Sequence, residues 1–265
     1  MLKNGGVRRM QSLIAPSVYL DHLGYMTFAQ NRGLADRFRA ALAAREGTLV
    51  LSWVNVAEYA TCSRETAEAA EQFVEPILPG VFFLNGNPFE VASREPHGEA
   101  HKDFPLFDEF AKLVAGSTKP FTARGLFTAM AGQGRASFDS WSQKFVTAAT
   151  ALRAKYTSSK EAAEQVEKDF RSSGPETASK IVLDELILAF IRDKQSEIES
   201  NDARDLFHAV VPSVYCNYLL LDKYWEAQMQ TVRGRLKRAG IEIELAHVFS
   251  PKANGINRFL TALEG

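Results

Sequence analysis

The chain has 265 residues, of which 46% are hydrophobic and 24% charged, and its formal net charge is -1. This composition is typical of a folded globular protein and excludes a largely disordered or fibrous chain. The near-neutral charge excludes a global positive field, so contact with nucleic acid would depend on local basic patches. Two cysteines in a chain of this length do not form a disulfide framework, which favours a reducing, cytoplasmic location.

The apolar segments are short and interrupted. Near the amino terminus, Pro16 and Asp21 occur before an apolar core of signal-peptide length could form. A longer run over 181–191 contains two acidic residues and falls short of the roughly 18 residues that span a bilayer. We therefore expect neither an export signal nor a membrane contact.

The first third of the chain alternates predicted strands with a helix. Residues 17–20 are a β-prone run that ends in Asp21, and 48–54 is a continuous apolar run typical of a strand buried on both faces. Apolar residues recur at helical spacing over 34–45, between these two strands. Turn residues follow 80–84, which is predicted to be a third, shorter strand.

Glu58 follows the second predicted strand. Asn55 is a suitable helix N-cap, which would place Glu58 in the first helical turn. Two interpretations remain open for Glu58: a capping-box partner of Asn55, or a carboxylate that faces the end of the strand as a ligand.

The middle of the chain is mainly helical. Four helices are predicted there: 106–114, 138–156, 160–170 and 176–199. The segments Gly132-Gln133-Gly134 and 172–175 are predicted to be loops between helices, because neither follows a strand as a phosphate-binding loop would. We predict that 100–199 is a largely helical insertion or cap.

Alternation of helices and strands returns after residue 200. A helix, a strand, a second helix and an edge strand are predicted in the order 202–211, 215–221, 223–239 and 241–245. Asp205 lies near the start of the first helix, and Asp222 directly follows the first strand. The pattern predicts an α/β fold with a mostly parallel sheet flanked by helices. We expect one domain over 17–265, after an N-terminal extension over 1–16.

Acidic residues gather at the predicted carboxyl ends of the strands. Ligand sites in open α/β sheets form beyond these ends, so adjacent strands would bring four acids together: Asp21, Glu58, Asp205 and Asp222. Clustered carboxylates repel one another unless a cation neutralises them, and hard oxygen ligands favour Mg²⁺ or Mn²⁺. Such a site can activate water and stabilise an in-line phosphodiester displacement.

Each of these residues also has a simpler interpretation. Asp21 could be a surface turn residue, and Asp205 could stabilise the helix dipole by roughly 0.3–1 kcal/mol without a metal. Asp202 fits best as the helix cap. The joint pattern, and no single acid, predicts the metal site.

Two neighbouring residues each have two possible roles, and a third is predicted to have no role as a ligand. His208 is either an acid–base catalyst or a structural hydrogen-bonding residue. Lys223 either contacts the scissile phosphate or balances the adjacent acids. His22 is predicted to lie on the face of the first strand opposite to Asp21, and so not to be a ligand.

Three segments resemble the PIN-like domain superfamily of metal-dependent ribonucleases. They are Val18-Tyr19-Leu20-Asp21, then Asn55-Val56-Ala57-Glu58, and the block from Asn201-Asp202-Ala203-Arg204-Asp205-Leu206-Phe207-His208-Ala209 to Leu219-Leu220-Leu221-Asp222-Lys223. The resemblance covers roughly 17–60 and 201–250. It implies a three-layer PIN-like fold in which Asp21, Glu58, Asp205 and Asp222 bind the metal, with Asp202 as a fifth acid or a supporting group.

The resemblance also implies an activity and partners. We expect a Mg²⁺- or Mn²⁺-dependent endoribonuclease that leaves 3′-hydroxyl and 5′-phosphate ends, with RNA as substrate and single-stranded DNA as an alternative. A homo-oligomer, a protein regulator, and a role as a bacterial-type toxin or defence protein follow from family association alone. The alternative is a PIN-like binding or regulatory module without efficient catalysis. Leu23 and Leu220 favour it, because they occupy positions that are polar in many members of the superfamily.

Overall fold

Five parallel strands form a single sheet in the computed structural model, which describes residues 13–97, 122–172, 177–193 and 196–265. The strands are β1 (Ser17–Leu20), β2 (Thr48–Ser52), β3 (Val81–Leu84), β4 (Tyr218–Leu220) and β5 (His247–Phe249). Their spatial order is β3-β2-β1-β4-β5, and every neighbouring pair is parallel. The predicted α/β class is confirmed, and the sheet of the described chain is parallel throughout.

Eleven α-helices lie in the described ranges. They are α1 (His22–Ala29), α2 (Arg32–Ala44), α3 (Trp53–Tyr59), α4 (Arg64–Val74), α5 (Pro88–Arg94), α6 (Ala123–Ser158), α7 (Lys160–Ser172), α8 (Ala178–Arg192), α9 (Ser200–Tyr215), α10 (Lys223–Ala239) and α11 (Gly255–Glu264). Two short 3-10 helices cover Glu75–Gly80 and Glu95–His97. None of the described helices is long and apolar enough to cross a membrane.

Helices cover both faces of the sheet because side chains along each strand alternate between the faces. Val18 and Leu20 of β1 face a layer that contains α1, α2, α4, α11 and the first turns of α6. Tyr19, between them, faces a second layer that contains α5, the later turns of α6, α8, α9 and α10. The result is a three-layer α/β arrangement with one apolar core on each side of the sheet.

Helix α6 contributes to both cores. Leu126 and Phe127 pack in the first layer, and Phe145 and Ala149 pack in the second. The predicted insertion over 100–199 therefore includes a helix that is part of the main core, and its status as an insertion or cap stays a prediction. The helix predicted over 106–114, most of the predicted extension over 1–16 and residues 173–175 of a predicted loop lie outside the described residues.

The chain reverses its direction across the sheet between β1 and β4. The path from β1 to β2 and β3 runs toward one edge, whereas β4 and β5 lie on the other side of β1. A ligand crevice forms at such a reversal point, beyond the carboxyl ends of the two strands. The Asp21 amide donates a hydrogen bond to the Leu220 carbonyl at 3.0 Å, which joins the two strand ends where this crevice opens.

Several sequence-based predictions of local structure are wrong. The predicted loop Gly132-Gln133-Gly134 lies within the continuous helix α6. The strand predicted over 215–221 is shorter, because α9 continues through Tyr215 despite Pro212. The strand predicted over 241–245 is absent, and β5 instead begins at His247, whose amide bonds to the Asn217 carbonyl at 2.8 Å.

Two glycines provide a matched test of the packing around α11 and α10. A Cβ on Gly255 would lie 1.7 Å from the Ser250 carbonyl oxygen, whereas nothing lies within 4 Å of a Cβ on Gly234. We expect Gly255→Ala to lower the free energy of unfolding by about 1–3 kcal/mol, because the backbone must shift. Gly234→Ala should raise it by roughly 0.5–1 kcal/mol, since alanine is the better helix former. Urea denaturation of both variants checks this, and equal effects would contradict the close contact.

Candidate active site

Asp21 and Asp222 stand at the carboxyl ends of the neighbouring strands β1 and β4, one on each side of the crevice. Each is the N-cap of the helix that follows its strand. Asp21 accepts a hydrogen bond from the Gly24 amide at 2.6 Å, and Asp222 accepts one from the Trp225 amide at 3.0 Å. The caps fix both carboxylates at the start of α1 and α10, where the helix dipoles also favour negative charge.

The pKa of Asp21 is raised from its usual value of 3.8 to about 7. Burial is the main cause, and the charges of Glu58 and Asp222 add to it, against the opposing effects of the Gly24 amide and His208. A buried carboxyl with other acids nearby holds its proton more tightly than one in water. Asp21 is thus a costly place for a negative charge unless a cation is present.

Asp205 lies in the second turn of α9, too far from the helix start to act as its cap. Burial raises its pKa from 3.8 to about 6, with contributions from Asp222 and Glu58, while His208 and a hydrogen bond with the Trp225 side chain lower it. The capping interpretation of Asp205 is therefore wrong. Asp205 and Asp21 both belong to an electrostatically coupled acidic group with Asp222.

Glu58 is held by basic side chains. Its Oε2 lies 3.1 Å from Nε2 of His208 and 3.9 Å from Nδ1 of His22, and its Oε1 lies 4.0 Å from Nε of Arg204. Burial raises the pKa of Glu58, but the interactions with His208, His22 and Arg204 outweigh burial, and the net pKa is lowered. Glu58 is therefore an ionised carboxylate with its own partners.

His208 is buried on α9, with 3% of its surface exposed. Its Nδ1 lies 2.5 Å from the Tyr19 hydroxyl, and its Nε2 faces Glu58. Burial lowers the pKa of His208, but Glu58 and, to a smaller degree, Asp21 and Asp205 outweigh burial and raise the net pKa. The hydrogen-bonded structural role considered for His208 matches these contacts, and the imidazole also offsets part of the acidic charge.

A chain of hydrogen bonds continues from His208 to the ends of β1 and β2. The Tyr19 hydroxyl lies 3.0 Å from the Ser52 hydroxyl, and the Ser52 amide donates to Oδ1 of Asn55 at 2.8 Å. The Asn55 side chain in turn donates to the Leu20 carbonyl at 3.0 Å. All of these side chains are buried, so the network holds the two strand ends and α9 in a fixed relation.

The local interpretation of Asn55 and Glu58 is wrong. Helix α3 begins at Trp53 with Ser52 as its N-cap, so Asn55 is the third helical residue and Glu58 the sixth. Asn55 completes the capping box with Ser52, not with Glu58. The extra turn carries the Glu58 carboxylate away from the helix start and toward His208.

The remaining predicted residues occupy the margin of the site. The prediction of Asp202 as the helix cap is wrong: Glu199 is the N-cap of α9, and Asp202, the third helical residue, completes the capping box by accepting a hydrogen bond from the Glu199 amide at 2.7 Å. Lys223 is the exposed first residue of α10, directly after Asp222. The predicted placement of His22 on a strand face is wrong, because β1 ends at Leu20 and α1 turns His22 toward Glu58. That His22 is not a ligand stays a prediction.

Sequence reasoning missed three residues that shape the site: Tyr19, Ser52 and Trp225. Tyr19 is the alternate residue of β1, which the strand pattern could have assigned to the face opposite Leu20. Trp225 lies three residues after Asp222, the position at which a backbone amide contacts an N-cap. No local signal predicts the contacts of the Trp225 indole with Asp205 or of Ser52 with Tyr19.

The side chains of the described ranges do not form a preformed metal-binding site. In this arrangement, no group of three or more His, Cys, Asp or Glu residues among the described positions could hold a metal ion. The charge of Asp222 raises the pKa values of both Asp21 and Asp205, but hydrogen bonds from the protein engage each of the three carboxyl groups. A cation would have to draw these carboxylates together.

No family model matches the chain, and no match was found among curated proteins or among solved structures. The resemblance to the PIN-like superfamily therefore stays a prediction.

The raised pKa of Asp21 predicts how stability changes with pH in the metal-free protein. Between pH 4 and 7 the folded state holds a proton that the unfolded state has released, so this stabilising contribution is lost as pH rises through about 7. The asparagine side chain of Asp21→Asn is neutral at every pH. We therefore expect the stability of Asp21→Asn relative to that of the wild type to increase by a few kcal/mol from pH 4 to pH 8. Urea denaturation in EDTA measures the difference, and a difference that does not change with pH would contradict it.

Proposed function

We propose that the protein is a Mg²⁺- or Mn²⁺-dependent endoribonuclease with a PIN-like fold. The observation that carries the proposal is the occurrence of two partly buried carboxyl groups, Asp21 and Asp205, whose pKa values are raised to about 7 and about 6 with a contribution from Asp222. They lie at the reversal point of a parallel sheet, where α/β proteins bind ligands. RNA as the substrate follows from the sequence resemblance.

The donor set fits a hard divalent cation. Asp21 and Asp222 use Oδ1 for their caps, and a carboxylate has a second oxygen that can reach an ion. A bound cation would also offset the charge repulsion and the cost of desolvation that raise the pKa values of Asp21 and Asp205. Asp205 would need to exchange its contact with the Trp225 side chain for the ion, or share it.

We assign different roles to the predicted acids. Asp21, Asp205 and Asp222 would bind the cation, which when bound would neutralise phosphate charge and lower the pKa of a water molecule. Glu58 would hold His208 in place, because its carboxylate already faces basic side chains. Lys223, which is exposed beside Asp222, would contact a phosphate of the substrate.

A second function, binding without efficient catalysis, is favoured by two observations. The described residues contain no preformed group of three metal ligands. Leu220 is fully buried and Leu23 is 46% exposed, so neither position supplies polar support to Asp21 or Asp222. A PIN-like module of this kind would bind RNA without cleaving it.

Cleavage assays on the wild type distinguish the two functions. Labelled mixed-sequence RNA and single-stranded DNA are incubated with Mn²⁺, with Mg²⁺ or with EDTA. The nuclease proposal expects cleavage with metal, none with EDTA, and RNA products with 3′-hydroxyl and 5′-phosphate ends. RNA binding without cleavage in either metal would support the binding module and exclude the nuclease.

A further inference from the structure

A polar cavity lies at the edge of the sheet opposite to the acids. Its volume is about 340 Å³, and its lining includes the first residues of β4 and β5 and the two residues before β1. Because the strands are parallel, all of these lie at the amino edge of the sheet. Cavities that bind small molecules have volumes of roughly 300–1,000 Å³. Six residues of this amino-edge cavity offer groups to a ligand: Arg45, Val214, Asn217, Tyr218, Glu244 and His247.

Hydrogen bonds hold the walls of the amino-edge cavity in place. Oδ1 of Asn217 accepts from the Ser17 amide at 2.8 Å and from the Ser17 hydroxyl at 3.0 Å, and the Asn217 amide donates to the Ser17 carbonyl at 2.9 Å. The Ala246 amide donates to the Ser213 carbonyl at 2.8 Å. These bonds join the end of α9 to the segments that begin β1, β4 and β5, so the cavity is preformed.

One wall presents a hydrogen-bond donor near an acceptor. Because Ser17 occupies the side-chain oxygen of Asn217, the Nδ2 group remains, and it donates to no residue that the structure describes. Carbonyls in the last turn of a helix have no partner within the helix. The Val214 carbonyl, in the last turn of α9, accepts no hydrogen bond from the described part of the chain. A donor next to an acceptor matches the polar edge of a nucleobase.

The other wall is aromatic and positively charged. Tyr218 and His247 are register partners on β4 and β5, and their rings stack with centroids 5.9 Å apart and planes 30° apart. Arg45 follows the last residue of α2, and its Nη1 donates to the Leu263 carbonyl at 3.3 Å. No acidic side chain among the described residues pairs with Arg45, which is exposed. A flat ring and an anion could therefore be bound on the same wall.

We propose that the amino-edge cavity binds a nucleoside monophosphate. The base lies against Tyr218 and His247 with its polar edge toward Asn217, and the phosphate pairs with Arg45. Aromatic side chains stack on the face of any base, and a guanidinium has the geometry to bind a phosphate through two hydrogen bonds. The inference goes beyond the proposed function, because the cavity lies at the other end of the strands and uses none of the acids that would bind a metal.

A nucleotide fits the distribution of charge better than a free phosphate does. Inorganic phosphate would use Arg45 and leave the two rings and the amide of Asn217 without a contact. The exposed Glu244 precedes Leu245, which packs in the second layer, whereas Arg45 ends a helix of the first layer. The negative group therefore stands on the side of the hydrogen-bonding wall, where the amino group of a base is favourable, and the positive group stands on the side of the phosphate.

Isothermal titration calorimetry of the full chain in EDTA tests the proposal. The probes are adenosine monophosphate (AMP), ribose 5-phosphate, which lacks the base, and adenosine, which lacks the phosphate. We expect AMP to bind with a dissociation constant below about 1 mM and each fragment to bind at least about tenfold more weakly. His247→Ala should weaken AMP binding by roughly 5- to 100-fold through the loss of stacking. Arg45→Ala should weaken AMP binding about tenfold and leave adenosine binding unchanged.

Asn217→Asp tests the hydrogen-bonding wall without removing the contact to Ser17. Aspartate keeps an oxygen for the Ser17 amide and replaces the Nδ2 donor by a second acceptor, so AMP binding should weaken at least about fivefold. Arg32→Ala, at the exposed start of the same helix α2, is the control and should bind AMP as the wild type does. Circular dichroism verifies that each variant is folded.

Three outcomes would overturn the nucleotide site. They are an absence of AMP binding to the wild type, equal affinities for AMP and ribose 5-phosphate, and an unchanged AMP affinity in both Arg45→Ala and His247→Ala. Because the titrations contain EDTA and no RNA, their result does not depend on whether the acids at the carboxyl edge bind a metal. Failure of the nuclease proposal would therefore leave this test valid.

Discussion

Asp21→Asn is expected to abolish metal-dependent RNA cleavage, with a loss of at least about 100-fold, while the protein remains folded. Asparagine is as good an N-cap as aspartate and keeps an oxygen for the Gly24 amide, so α1 should be preserved. The substitution removes the charge that a divalent cation would bind and leaves the shape of the side chain. Asp222→Asn should have the same effect, because Asp222 caps α10 through the same geometry. Cleavage rates with Mn²⁺ measure both.

Thermal unfolding provides a readout of cation binding that does not depend on cleavage. An ion at 100 times its dissociation constant stabilises the folded state by about 2.7 kcal/mol. We expect Mn²⁺ to raise the melting temperature of the wild type and to have little effect on Asp21→Asn or Asp222→Asn. Asp36→Asn, an exposed acid on α2, is the control and should behave as the wild type does. Equal Mn²⁺ stabilisation of Asp21→Asn and the wild type would exclude Asp21 as a ligand.

The sheet and two of its acids could be predicted from local patterns. Buried parallel strands are short continuous apolar runs, and in β1 and β4 such a run is followed within two residues by an aspartate that also caps a helix. The order of the strands then decides whether the acids meet, and sequence patterns do not give that order. Strand β5 was not predicted because it has only three residues. The alternation of apolar and polar residues over 241–245 is typical of an edge strand and led to the wrong assignment.

The environment of Glu58 could not be predicted, because it depends on contacts between distant parts of the chain. Tyr19 and His208 are 189 residues apart, and Glu58 and His208 are 150 apart. Locally, Asn55 and Glu58 fit a capping box equally well, and only the choice of Ser52 as the N-cap rotates Glu58 toward α9. Burial raises the pKa values of Asp21 and Asp205. It also depends on how the layers pack together, so the local sequence around each residue does not predict it.

Glu58→Ala is expected to lower the free energy of unfolding by about 3–5 kcal/mol near pH 6. Removing one partner of a buried ion pair leaves the other charge without compensation, and His208 is almost fully buried. Because the pKa of His208 is raised in the folded state, the stabilising contribution of its proton is present at low pH and is lost as pH rises through that folded pKa. The penalty of Glu58→Ala should therefore decrease toward pH 9. Urea denaturation at several pH values measures it.

Two further variants separate the charge of Glu58 from its hydrogen bond. Glu58→Gln can still face Nε2 of His208 but carries no charge, so its penalty should be smaller than that of Glu58→Ala and should also decrease as pH rises. Glu65→Ala, an exposed acid on α4, should change stability by no more than about 0.5 kcal/mol. A penalty for Glu58→Ala that stays constant from pH 6 to 9 would mean that His208 is neutral in the fold. The acids would then lack their internal positive charge, and their need for a bound cation would be greater.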